Sequence, residues 1–165
     1  MRLTPLVLCL GVAASTLSVA VTGQRPDDQI APKSMELLTK GEALLAQGKL
    51  IEADDALETA LIVDPKNRAA FVVMAKVAIK QKLYGQAIRL TNKALTLEPT
   101  DRNALAVQGE AMVELGAVPR AKENLVKLQK LCGNASCPQA VSLSTVIARG
   151  PALAAANSPE VPKKN

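Results

Sequence analysis

Apolar and small residues return along this chain with a period of 34. Ala53, Leu57, Ala60 and Pro65 are followed 34 residues later by Ala87, Thr91, Ala94 and Pro99, and after the same interval by Ala121, Leu125 and Leu128, with Gly133 in the proline column. Leu37, Phe71 and Leu105 keep the same register, as do Gly41, Ala75 and Gly109; Leu44, Ala78 and Met112; and Leu50, Tyr84 and Val118. A fixed period of this length marks a repeat architecture, in which each unit buries its apolar face against the next.

Within each unit the apolar positions recur at helical spacing and are interrupted once. From Ser34, a good N-cap residue, Leu37, Leu38, Gly41, Leu44 and Leu45 form one broad face that stops at Gln47-Gly48. A second helix is expected over Leu50 to Val63, ending before Asp64-Pro65 because the residue ahead of a proline is pushed out of the helical region. Each unit is therefore a pair of antiparallel helices. The units span 34–65, 68–99 and 102–133, with turns at Gln81-Lys82 and Gly116, and Pro119 in a first helical turn, where no donor is lost. The expected fold is all-α, a solenoid of antiparallel helical hairpins with about seven helices.

These residues resemble the tetratricopeptide repeat, whose 34-residue pattern runs W-x2-L-G-x2-Y, then A-x3-F, then P. The likeness covers residues 34–133. Leu37, Lys40, Gly41 and Leu44 fill the opening columns of the first copy, and Ala53, Leu57, Ala60 and Pro65 the rest. Gly41, Ala53 and Ala60 stand where two helices must approach closely. Lys40 and Gln108 depart from the family's leucine, Ala78 from its aromatic residue, Thr91 from an apolar column and Leu128 from the last alanine.

The resemblance implies a right-handed superhelix whose inner wall is formed by the first helix of each repeat and receives a partner polypeptide. It assigns Met35, Leu38, Glu42 and Leu45 to that wall, then Ala69, Val72, Lys76 and Ile79, then Asn103, Ala106, Glu110 and Val113, with Lys80 beside Lys76. Relatives that bind chaperone C-termini hold the terminal carboxylate with a Lys/Asn/Arg clamp. Leu38, Glu42, Val73, Asn103 and Val107 occupy those places here, so only Asn103 fits. The wall is largely apolar on this assignment, which suits an amphipathic helix or hydrophobic segment with an acidic residue to meet Lys76 and Lys80. Val72→Glu is then expected to abolish capture and spare helicity.

Beyond the repeats, residues 134–150 are expected to form a capping helix, with Pro138 at its start, Val141, Leu143, Val146 and Ile147 as its apolar positions and Gly150 at its end. Cys132 and Cys137 would face each other across the turn leading into it. In an exported protein a disulfide is the natural reading, since the metal alternative lacks further ligands and a redox pair is usually spaced C-x-x-C. Asn134-Ala135-Ser136 matches a glycosylation sequon crowded by these cysteines. Residues 151–165, PALAAANSPEVPKKN, read as a disordered tail.

The start of the chain adds a location. Residues 1–23 combine Arg2, an apolar stretch from Leu6 to Ala14 and small residues thereafter, the layout of a secretory signal peptide cleaved after Ala20 or Gly23. An uncleaved membrane anchor is the alternative. Residues 24–33, with two prolines, read as a flexible lead-in. Export to the periplasm or the exterior follows from this reading.

Composition narrows the chemistry. The 165 residues carry a net charge of +5, one Phe, one Tyr, no Trp and no His. The core must be aliphatic, and mixed charges with hardly any aromatics argue against nucleic acid. Without His, Ser–His and Cys–His nucleophile pairs and His metal sites are excluded, and no phosphate-cradling glycine loop is present. Asp54-Asp55, and Glu36 with Glu42, read as solvated helix faces. No cofactor and no metal are expected, and the chain is not expected to be an enzyme. The expected function is a protein–protein interaction scaffold outside the cytoplasm. The alternatives are a self-associating module forming a homo-oligomer and a membrane-tethered assembly scaffold.

Overall fold

The computed structural model describes residues 29–133 and 137–152. The leader, most of the lead-in, the sequon and the tail beyond residue 152 lie outside them. Seven α-helices follow one another among the described residues: α1 (Pro32–Ala46), α2 (Leu50–Val63), α3 (Arg68–Lys80), α4 (Tyr84–Leu97), α5 (Arg102–Glu114), α6 (Val118–Cys132) and α7 (Pro138–Arg149). The fold is all-α. Helices α1 and α2, α3 and α4, and α5 and α6 pair as hairpins, and each following helix also packs on the leading helix of the next pair.

The three hairpin turns share one construction. The residues two past the ends of α1, α3 and α5 are Gly48, Lys82 and Gly116, with φ of 75°, 62° and 80°. At each turn two backbone bonds close a Schellman motif: Lys49 N–H to the Leu44 carbonyl at 3.0 Å, repeated by Leu83 to Ala78 at 2.7 Å and Ala117 to Met112 at 2.8 Å, each with a shorter-range bond inside it. The left-handed residue suits glycine at two turns; at the middle one a lysine carries the strain.

The links between hairpins are equally regular. Asn67 and Asp101, one period apart, cap α3 and α5 by accepting from Ala70 N–H (3.2 Å) and Ala104 N–H (2.9 Å). Arg68 pairs with Asp101 at 2.8 Å, tying the start of α3 to the start of α5.

The small-residue columns are the contact points between helices. Ala53, Ala87 and Ala121 are fully buried, as are Ala60, Ala94 and Leu128. A Cβ placed on Gly41 would lie 2.6 Å from Leu57 Cγ, so α1 and α2 touch at that glycine. Leu128, larger than the alanines of its column, packs with Leu105 and with Leu143 of α7.

Ser34 does not cap α1. The helix begins two residues earlier with Pro32 in its first turn and Ala31 at the cap position, and its start takes over the end of the expected lead-in. Ser34, inside the first turn and fully buried, instead donates to the Ala60 carbonyl (2.7 Å) and accepts from Asn67 Nδ2 (2.8 Å). Ala31 N–H is bound by the Asp64 carboxylate at 2.7 Å. A second buried polar chain runs through the family-atypical Gln108: its Nε2 donates to Asn92 at 2.7 Å, and its Oε1 accepts from Asn124, which also donates to the Leu105 carbonyl. Every buried side-chain polar atom among the described residues has a partner.

Candidate interaction groove

α7 decides the shape of the site. Its start and end fall 36 and 35 residues after those of α5, so it takes the place that the leading helix of a further hairpin would occupy. Three contacts fix it along α5. Gln139 Nε2 donates to Asn103 Oδ1 (2.9 Å) near the start of both helices, and Leu143 fills the space in front of Gly109, where a Cβ would meet its Cδ1 at 2.6 Å. Arg149 pairs with Glu114 at 2.6 Å near their ends. The other carboxylate oxygen of Glu114 accepts from Ala152 N–H at 3.0 Å. A Cys132–Cys137 disulfide with a Cα separation of 5.9 Å joins α6 to the start of α7.

Docked in this way, α7 walls a cavity of about 230 Å³ against α3 and α5. Four residues assigned to the inner wall from the sequence meet there: Lys76 from α3, and Asn103, Ala106 and Glu110 from α5. Val107, Pro138, Gln139, Ser142, Leu143 and Val146 complete the lining. The lining combines aliphatic side chains with one cation and one anion, and the hydrogen-bonded Asn103–Gln139 amide pair forms part of it. Met35 and Ala69 line a second cavity, of about 440 Å³, with Ile30 and Leu97.

Not every expected wall residue faces a groove. Leu38 and Val72 are each 4% exposed and Val113 is fully buried. Leu38 packs with Ala53, Leu57 and Val73, Val72 with Ala104 and Val107, and Val113 with Met112 and Ala121. These three positions face the neighbouring helices, so they belong to the core, and Val72→Glu would bury a carboxylate among alanines and valines. Met35, Glu42, Lys76, Lys80 and Asn103 are exposed; Leu45, Ile79, Ala106 and Glu110 are half-buried. The accessible wall is accordingly more polar than the sequence suggested. Of the five clamp positions, Leu38, Val73 and Val107 are buried apolar residues, and Asn103 is engaged by Gln139.

The sequence reading missed the α7 contribution. Its signal was available: the 34-residue period, extended once more with one or two inserted residues, lands on Pro138 to Arg149. No group of three or more His, Cys, Asp or Glu that could hold a metal is found among the described residues. No helix among them is long and apolar enough to cross a membrane.

Residues 44–111 match the family model for the tetratricopeptide repeat. No curated protein sequence matches the chain at a significant level. Among solved structures, the first TPR of Spaghetti (RPAP3) bound to the HSP90 peptide SRMEEVD aligns with a TM-score of 0.63 and 26% identity, over 74% of this chain and 94% of that one. The Sgt2 TPR domain from Aspergillus fumigatus aligns with a TM-score of 0.65 at 23% identity, over 82% and 89%. The TPR2B domain of yeast Sti1, in complex with pHsp70, aligns at 0.65 and 17% identity, over 72% and 98%. With the 34-residue register, the repeated turn and the small-residue helix contacts, these likenesses show a fold like that of tetratricopeptide-repeat domains, with residues 44–111 matched by the model of that family.

Proposed function

We propose that this chain is a non-enzymatic interaction scaffold that holds an internal segment of a partner polypeptide along α3, α5 and α7. The observation that carries this reading is the cavity lined by aliphatic Ala106, Val107, Leu143 and Val146 together with Lys76 and Glu110. An apolar side chain of the partner enters the cavity, and charged neighbours meet Lys76 and Glu110. The similar RPAP3 and Sti1 domains were solved with HSP90 and Hsp70 ligands, which supports a polypeptide as the class of partner. The mode differs from a carboxylate clamp: three of the five clamp positions are apolar and buried, so a chain terminus would find no cation there.

The scaffold works outside the cytoplasm, periplasmic or secreted. The leader-like residues 1–23 support this location, and so does the Cys132–Cys137 bridge, because such bonds persist in oxidising compartments. Co-purification with the tagged full chain from its native cells tests the groove. Lys76→Glu is expected to lose a partner that the reference chain and a Lys93→Glu control on α4 both retain, at equal helicity by circular dichroism. Retention of every partner by Lys76→Glu would overturn the assignment.

A further inference from the structure

Helix α2 turns a continuous stripe to solvent. Ile51, Asp55, Glu58 and Ile62 recur at i, i+4, i+7 and i+11 and all are exposed, the two isoleucines at 72% and 80%. Glu52 and Asp54 flank the stripe, and the helix contains no cation. None of these four carboxylates takes part in an ion pair found among the described residues. Burial, then the charges of Glu58 and Asp55, hold the Asp54 carboxyl above the ordinary carboxylate range. The face thus combines exposed aliphatic surface with uncompensated negative charge.

Helix α6 presents the counterpart. Lys122, Val126 and Lys130 recur at i, i+4 and i+8 and are exposed, with Arg120, Lys127 and Leu131 beside them and Glu123 as the one carboxylate of the helix. The two stripes are close in length, roughly 16 Å from Ile51 to Ile62 and roughly 12 Å from Lys122 to Lys130 at 1.5 Å per residue. Neither contributes to the cavity walled by α3, α5 and α7.

We propose that the α2 face of one molecule docks on the α6 face of another, so that the chain associates head to tail with copies of itself. The second copy is the favoured occupant because both halves of the contact, aliphatic and charged, are carried by this one sequence. The faces belong to the first and third hairpins and differ from each other, so the contact is heterologous and each added copy leaves a free α2 and a free α6. Ion pairs at such a rim are screened by salt, which makes the association strongest at low ionic strength.

Sedimentation velocity on the purified full chain tests the proposal. The weight-average mass is expected to rise with concentration at about 20 mM salt and to fall towards the monomer near about 500 mM, where screening acts within a few ångströms. Asp55→Lys with Glu58→Lys, and separately Lys122→Glu with Lys130→Glu, are each expected to weaken association at least about tenfold. Mixing the two variants restores it, because the reversed α2 of one now faces the reversed α6 of the other. Ile51→Ser with Ile62→Ser keeps the charges and is expected to weaken association to a similar extent, which covers the case of a charge variant that folds poorly. A monomer at every concentration and salt would overturn the proposal. So would association indifferent to all these changes, or two charge variants that stay monomeric when mixed.

Discussion

A glycine inside a helix ordinarily costs about 0.5–1 kcal/mol relative to alanine. At Gly41 and Gly109 the sign reverses, because an added Cβ would stand 2.6 Å from a carbon of Leu57 or Leu143, both buried. Gly41→Ala is expected to destabilise the chain by roughly 1–3 kcal/mol through overpacking, read as a lower denaturant midpoint; a higher midpoint would mean that the helices are not in close contact there. The period offers an internal comparison, since the second hairpin carries Ala75 in the glycine column and the smaller Thr91 in the column of Leu57. Lys82 runs the other way. It holds φ of 62° where its counterparts are glycines. Relief of roughly 1–2 kcal/mol of left-handed strain, less roughly 0.4–1 kcal/mol of added chain entropy, makes Lys82→Gly neutral to stabilising, by up to about 1.6 kcal/mol. A lower melting temperature would contradict this. At Asp54 the folded carboxyl is raised, so the folded state binds the proton more tightly than the unfolded one. Its contribution to stability is therefore present at low pH and lost as pH rises through the raised value. Asp54→Asn is expected to flatten that part of the stability–pH curve, and an identical curve would rule the crowding out.

At the scale of the element, the leading and following helices were legible because caps, prolines and the 34-residue columns agree. The limits of α2 are those expected from Leu50 and from Asp64-Pro65. The start of α1 was not legible: Ser34 is chemically a fine cap, but burial against α2 gave its hydroxyl a better partner in the Ala60 carbonyl. Nor were the faces of Leu38, Val72 and Val113 resolved, since a one-position rotation on a helix separates a groove residue from one packed on its neighbour. α7 was legible as a helix but not as a wall, because its register slips beyond the period and its role depends on Leu143 meeting Gly109. Leu143 is 1% exposed. Leu143→Ala is expected to cost about 2–5 kcal/mol and to raise hydrogen exchange first in α7, with α1 and α2 unaffected at their slowest amides. Uniform acceleration over all seven helices would show that α7 is not a separable docking element.

Over the whole molecule, three hairpins built on one pattern end in a helix that changes what the pattern is for. The repeats alone would give an open inner wall. The extra helix, joined to α6 by the disulfide and tied to α5 by Arg149 and Gln139, closes that wall into a cavity with Lys76 and Glu110 in its lining. The fold could be read from periodicity because a repeat states its contacts several times over. The cavity was harder to read, because half of its lining comes from α7, whose ends fall 36 and 35 residues after those of α5 and so slip one or two positions from the period.

The central claim, that a partner polypeptide lies against α3, α5 and α7, is tested most directly by a photoreactive side chain placed at Ser142 in the full chain within its native cells. Ser142 lines the cavity and is exposed, and Thr96 on α4 is exposed but outside it. The expected result is a discrete crosslinked polypeptide from Ser142 that is absent from Thr96 and is lost when Glu110→Lys is added. Equal crosslinking from both positions, or an adduct at Ser142 that survives Glu110→Lys, would contradict it.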